Sequence, residues 1–274
     1  MDNADKRPPG RLRPDRAARP SRPDSLPPRL EASTLWDFPS QNYGGGKQGD
    51  KAYAGATPAQ IVWNLLQRYT RPGDLVVDPM AGGGTTLDVA RELGRRALGY
   101  DLVSRRPDVF RADARKLPLE DGKAGFVFVD PPYSTHIDYS GDPACIGKLD
   151  AAGSGYYAAL DLAIGEIHRV LAAGRHMALL VCDSFVKGEG FFPIGFELFA
   201  RLRQRFEPVD IVAVARKNRT LGMANYRRAA EAGNFFLRGF NYLFIMRKGG
   251  VPGQERAAGA RAAGKRGRHA GNRG

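Results

Sequence analysis

The sequence predicts an α/β domain in which a central, mainly parallel sheet carries helices on both faces. Three observations predict it. Short apolar runs alternate with segments of helical periodicity through the middle of the chain. A strand, a glycine loop and a helix start follow one another at Gly73-Asp74-Leu75-Val76-Val77-Asp78-Pro79-Met80-Ala81-Gly82-Gly83-Gly84-Thr85-Thr86. Acidic residues close three of the apolar runs, at Val77-Asp78, Tyr100-Asp101 and Val129-Asp130. In open α/β sheets ligands bind at the carboxyl ends of the strands, so these acids mark a candidate site.

The elements follow in order. From Thr57 to Tyr69, apolar residues at 61, 62, 65, 66 and 69 form a helical stripe, with Thr57 as N-cap and Pro58 in the first turn. After the strand that ends at Asp78, three consecutive glycines let the backbone approach a ligand and adopt positive φ, and Thr85 or Thr86 can cap the next helix. Leu87 to Leu93 continues that helix, Gly94-Arg95-Arg96 ends it, and Ala97-Leu98-Gly99-Tyr100-Asp101 is a short strand. Gly125-Phe126-Val127-Phe128-Val129 is a buried strand. Tyr156 to Leu171 is a helix stopped by Ala172-Ala173-Gly174, and Met177 to Cys182 is a strand. A helix from about Pro193 to Arg205 precedes a closing pair of strands, Val209–Val214 and Phe240–Met246.

The flanks differ from this core. Residues 1–32 are crowded with Pro, Arg and Asp, and residues 249–274 are mostly Gly, Ala, Arg and Lys, so both are expected to be disordered tails around a domain at 33–248. That domain, roughly 215 residues, is of ordinary size for one α/β unit. With 42% hydrophobic residues the chain of 274 can bury a sizeable core. It has no apolar stretch of the roughly 20 residues that span a bilayer and no apolar signal-peptide core, so no membrane association and a cytoplasmic location are expected. Two cysteines, Cys145 and Cys182, and four histidines without ligand spacing suggest neither a disulfide framework nor a metal site. A net charge of +13 points instead to a polyanion, for which nucleic acid is the natural candidate.

The chemistry is concentrated in Asp130-Pro131-Pro132-Tyr133. Two prolines remove backbone donors and leave a carboxylate and free carbonyls as acceptors, which suits a substrate that is itself a donor. An exocyclic amino group of a nucleobase is such a donor. When Asp130 and the Pro131 carbonyl each accept one of its N–H bonds, the nitrogen is drawn toward tetrahedral geometry and its lone pair is freed for attack, with Tyr133 stacked on the ring. The glycine loop fits neither phosphate fingerprint, because it lacks Gly-Lys-Ser/Thr and the G-x-G-x-x-G spacing.

Together these motifs resemble those of the S-adenosylmethionine-dependent DNA amino-methyltransferases, which act on adenine N6 or cytosine N4. The resemblance covers about residues 34–248 and implies the class I methyltransferase fold: a Rossmann-like seven-stranded sheet in the order 3-2-1-4-5-7-6. It implies S-adenosylmethionine as cofactor, held by Thr57, Pro58, Asp78, Pro79, Met80, Ala81, Gly82, Gly83, Gly84, Thr85, Thr86, Asp101 and Asp113. Within that set Asp101 is placed for the ribose hydroxyls. Asp113 either meets the adenine amino group or pairs with Arg111 or Arg115. The segment Leu35-Trp36-Asp37-Phe38-Pro39-Ser40 is similar to one that precedes this helix in several such enzymes, or else Trp36 and Phe38 are simply core.

The family includes enzymes of restriction–modification, and the implied reaction is site-specific methylation of a flipped DNA base. An RNA amino-methyltransferase, acting on guanine N2 or adenine N6, and a non-catalytic nucleic-acid-binding regulator are the alternatives. Carbon-5 cytosine methylation is excluded, since neither cysteine stands in a Pro-Cys setting. Two inserts, Ser134–Tyr157 and Arg216–Leu237, are placed to overhang the site. His136, Tyr139, Arg216, Lys217, Arg219, Tyr226 and Arg227 are their candidate nucleic-acid contacts, or else loop residues solvated by their own charge.

Overall fold

The structure, a computed structural model, describes residues 27–249 apart from Lys51, Ala54, His136, Lys187 and Asn218. Most of the two expected tails therefore lies outside the described residues. Residues Arg29 to Glu31 already pack on the domain, because the Asn64 side chain receives a hydrogen bond from the Glu31 N–H and donates one to the Arg29 carbonyl.

The elements run β1 (Leu35–Trp36), α1 (Ala59–Tyr69), β2 (Leu75–Asp78), α2 (Thr85–Glu92), β3 (Arg96–Asp101), β4 (Val109–Arg111) and β5 (Ala124–Val129). A 3₁₀ turn at Ile146–Lys148 leads to α3 (Ser154–Val170), β6 (Leu171–Val181), β7 (Ser184–Val186), β8 (Gly190–Phe192) and α4 (Ile194–Leu202). The chain then forms β9 (Glu207–Ala215), α5 (Arg219–Gly222), α6 (Ala224–Ala232) and β10 (Phe240–Arg247).

The main sheet is ordered β4-β3-β2-β5-β6-β10-β9-β1, with β10 antiparallel to both neighbours and the other pairs parallel. The expectation of seven strands is corrected to eight. The extra strand is β1, a two-residue edge piece parallel to β9, held by the Ala213 N–H on the Thr34 carbonyl at 2.8 Å. Trp36 and Phe38 are buried beneath it with Val212 and Val214, so these aromatics are core.

Burial on both faces explains why the central strands are continuously apolar. In β5, Val127 and Val129 face α3 with Tyr156, Leu160 and Ile164, while Phe126 and Phe128 face α1 with Ile61, Leu65 and Leu66. In β6, Met177, Leu179 and Val181 share the first face, and Ala178 and Leu180 the second. Helix α3 stops as expected, at Val170, and Ala172-Ala173-Gly174 form an irregularity inside β6, which starts at Leu171 rather than Met177. Ala124 pairs with Leu171 and Phe126 with His176, so residues 172–175 bulge away from β5, with Gly174 at φ 73° and the backbone of Gly174 and Arg175 bonded to Lys248 instead.

Topology places the site. β2 and β5 are neighbours, yet the helix after β2 packs on the α1 face and the helix after β5 on the opposite face. The crevice between the carboxyl ends of these two strands is thus a topological switch point. A small hairpin, β7–β8, follows directly on β6 and stands at the same edge.

Candidate active site

The glycine loop hangs from the end of β2. Asp78 there is 4% exposed, and its carboxylate accepts the Met80 N–H at 3.0 Å and the Thr86 hydroxyl at 2.6 Å. Burial outweighs these bonds and pushes its pKa up to about 7. The helix that follows is not capped by Thr85 or Thr86. Gly84 occupies the N-cap at φ 79°, a left-handed conformation that a residue with a Cβ resists, and Thr86 is free to bind Asp78.

A strap that includes Gly49, Asp50 and Tyr53 lies over this loop. The Gly83 carbonyl accepts the Asp50 N–H at 2.8 Å and the Arg106 guanidinium at 3.1 Å. The Tyr53 ring presses on Gly82 so closely that a Cβ there would stand 2.6 Å from it. The Gly82 N–H in turn donates to Asp101 at 2.9 Å, and the other Asp101 oxygen accepts the Val103 N–H at 3.2 Å. Each carboxylate oxygen keeps a lone pair for a further donor.

At the end of β5, Asp130 receives two hydroxyls. Thr57 donates to one carboxylate oxygen at 2.6 Å and Tyr133 to the other at 2.5 Å. This corrects one expectation. Thr57 does not cap α1, whose N-cap position is Pro58 without a side-chain bond, because its hydroxyl is turned to Asp130. The Tyr133 hydroxyl is committed to the same carboxylate. Burial raises the Asp130 pKa to about 6, with the Thr57 and Tyr133 hydroxyls pulling it back down. Burial and the adjacent Asp130 hold the Tyr133 phenol well above its usual range.

The two prolines divide the acceptors. The Pro132 carbonyl is taken by the fully buried Tyr156, whose hydroxyl donates at 2.7 Å. Among the described residues no donor reaches the Pro131 carbonyl.

Both motifs open on one cavity of about 1090 Å³, lined by Thr57, Pro58, Asp78, Met80, Ala81, Gly82, Gly83, Thr85, Thr86, Asp130 and Tyr133. A smaller cavity of about 70 Å³ adjoins it, bounded by Pro79, Met80, Asp101, Asp113, Asp130 and Pro132. Tyr53 and Tyr139 line both, with their rings stacked 6.3 Å apart. Asp113 is paired with Arg115 at 2.6 Å and still forms part of the smaller wall.

The candidate nucleic-acid residues separate. Tyr139 is interior, beside Tyr53. Arg216 enters the large cavity and donates to Cys182 Sγ at 2.9 Å. Lys217 lines the rim but is paired with Asp37 at 2.6 Å, and Tyr226 lines it while 43% exposed. Arg227 is exposed on α6, away from the lining residues described. Arg219 begins α5, and His136 lies outside the described residues. Of the two inserts, Ser134–Tyr157 mainly braces the Asp130–Tyr133 turn, whereas Arg216–Leu237 walls the cavity.

Sequence reasoning missed Tyr53, Arg106, Asp183, Phe185 and Arg238. Arg106 ties the glycine loop to Asp88 at 2.7 Å, and Asp183 accepts the Gly195 N–H at 2.8 Å within the cavity wall. A signal for the strap was present in Gly44-Gly45-Gly46-Lys47-Gln48-Gly49, a loop composition between Phe38 and α1.

Comparison with known proteins agrees with this geometry. Residues 8–109 match a family model described as DNA methylase. The chain is 31% identical over 71 residues to the type II methyltransferase M.HinfI of Haemophilus influenzae, covering 26% of this chain and 20% of that protein. It is 32% identical over 71 residues to M1.MboII of Moraxella bovis, covering 25% of this chain and 27% of that protein. The chain is similar in sequence to the DNA amino-methyltransferases. It spans only about a quarter of these relatives' length, and the family match ends before Asp130. In fold it is similar to the [4+2]-cyclase SpnF, with a TM-score of 0.50 and 17% identity, covering 76% of this chain and 86% of that one. With its sheet order, the chain has the class I methyltransferase fold.

Proposed function

We propose that the protein transfers a methyl group from S-adenosylmethionine to the exocyclic amino group of a DNA base, cytosine N4 or adenine N6, after the base has left the stack. The observation that carries this reading is the convergence of the glycine loop and Asp130-Pro131-Pro132-Tyr133 on a single cavity. The residues present fit the methyl donor. Gly82 and Gly83 line the large cavity with no side chain of their own, Asp101 retains acceptor capacity for ribose hydroxyls, and Asp113 with Pro79 and Met80 bounds the adjoining space. When bound, S-adenosylmethionine supplies a sulfonium methyl, an electrophile for an amino nitrogen.

The chain's own residues make that nitrogen nucleophilic. Asp130 and the uncommitted Pro131 carbonyl accept its two N–H bonds and localise its lone pair. Asp130 must be ionised to do so, and Thr57 and Tyr133 favour that form. As the nitrogen gains its new substituent it sheds a proton, for which Asp130 is the adjacent base. Arg216 and Lys217 on the rim, with Tyr226, suit phosphate and base contacts. Among the described residues no helix is long and apolar enough to cross a membrane, and action on DNA accords with a cytoplasmic place.

The test is transfer of labelled methyl from S-adenosylmethionine to unmethylated DNA and, separately, to unmodified ribosomal and transfer RNA, with mass identification of the methylated nucleoside. Label in DNA as N4-methylcytosine or N6-methyladenine is expected. Label confined to RNA would overturn the DNA assignment.

A further inference from the structure

We propose that Phe236 is a wedge that enters the base stack of duplex DNA and fills the gap left by the target base; this rests on the methyl-transfer reading above. Phe236 is 84% exposed, more than any other large hydrophobic side chain among the described residues. Its neighbours in sequence are nonetheless fixed. Phe235 stacks face to face on Phe185 of the β7–β8 hairpin, with centroids 4.7 Å apart and planes 9° apart, and its N–H donates to the Ala230 carbonyl at 3.0 Å. Asn234 holds a left-handed φ of 49°, which turns the chain between α6 and this stack.

The other side is equally braced. The Arg238 guanidinium donates to the Phe236 carbonyl at 2.6 Å and covers the Phe191 ring at 5.2 Å, and the Arg216 N–H donates to the Gly239 carbonyl at 2.9 Å. The backbone is therefore pinned, and of the aromatic side chains around it Phe236 is the one most offered to solvent. A ring with no packing role, presented by a braced loop, is suited to insertion.

Its position supplies the partner. Phe236 lies on the rim of the cavity whose interior carries Asp130 and Tyr133, among Arg216, Lys217 and Arg238. A base reaching Asp130 must leave a vacancy in the stack above the rim, which an apolar ring can fill, and Arg238, two residues along the same loop, supplies positive charge for the phosphates of the opened step. The occupant is thus duplex DNA at the flipped pair. Since an exposed side chain supports no core, its removal leaves the fold intact.

The experiment compares the full-length protein with Phe236→Ala and Phe236→Trp on one unmethylated genomic DNA, native or heat-denatured. A wedge assists only where a stacked duplex must be opened. Phe236→Ala is expected to lower the methylation rate on native DNA at least tenfold and on denatured DNA less than twofold, with Phe236→Trp close to wild type on both. Equal losses on the two DNAs, or no loss on native DNA, would overturn the wedge while leaving methyl transfer standing. A wild type active only on denatured DNA would overturn it too, and one inactive on both would remove the reading beneath it.

Discussion

Replacing Thr57 by Val deletes one hydroxyl and little else, and the Asp130 geometry makes its consequence calculable. The hydroxyl donates to the carboxylate at 2.6 Å and is one of two bonds that hold the pKa at about 6 against burial. A hydrogen bond to a charged group contributes about 1.5–3 kcal/mol. At about 1.4 kcal/mol per pH unit, its loss moves the ionisation midpoint of Asp130 upward by about one to two pH units. Since methyl transfer needs the carboxylate, the acid limb of the kcat profile should move up by the same interval. At pH 7 the ionised share, about nine-tenths in the wild type, falls to between about a half and a tenth, so the rate drops about two- to tenfold. It recovers near pH 9, and Thr57→Ser should keep the wild-type profile. The assay is methyl transfer to DNA under saturating S-adenosylmethionine from pH 5 to 9. A uniform loss at every pH, with the midpoint unmoved, would refute the coupling between Thr57 and Asp130.

Other outcomes follow from neighbouring contacts. Asp130→Ala should lower kcat by at least about 100-fold while S-adenosylmethionine affinity, measured by calorimetry, stays within about threefold; near-normal transfer would remove Asp130 from the mechanism. Gly83→Val should weaken cofactor binding by at least about tenfold, because a side chain there meets the Tyr53 Cβ at 3.0 Å and the Asp50 backbone at 3.3 Å. Tyr156→Phe strands the half-buried Pro132 carbonyl and should cost about 1–2 kcal/mol, seen as a melting temperature lower by several degrees. Asp78 has a folded pKa raised to about 7, so its contribution to stability is fully present below pH about 4 and is lost as pH rises to about 7. Asp78→Asn should therefore melt above the wild type at pH 8, by up to about 4 kcal/mol of stability, and the advantage should vanish by pH 4. An advantage that does not change with pH would contradict a buried, titrating Asp78.

The sequence by itself determined the local patterns. Continuous apolar runs such as Phe126 to Val129 identify strands covered on both faces, and an acid after such a run marks a strand end. The glycine loop and Asp130-Pro131-Pro132-Tyr133 could be recognised because their chemistry is written in adjacent residues. What only the tertiary structure decided depends on partners far apart in the chain. Thr57 looked like a helix cap because a cap is a local role, and its bond to Asp130, 73 residues away, has no local signature. Strand β1 escaped because two residues carry no period, and its pairing exists only where β9 offers an edge. The small residues at 172–174 mark the end of α3, but the bulge they form is set by which residues of β6 meet β5. The strap that puts Tyr53 on Gly82 and the loop that presents Phe236 are likewise assembled by distant contacts. Adjacent residues specify backbone and chemistry, whereas the direction in which a side chain is turned is decided by which surfaces the sheet order brings together.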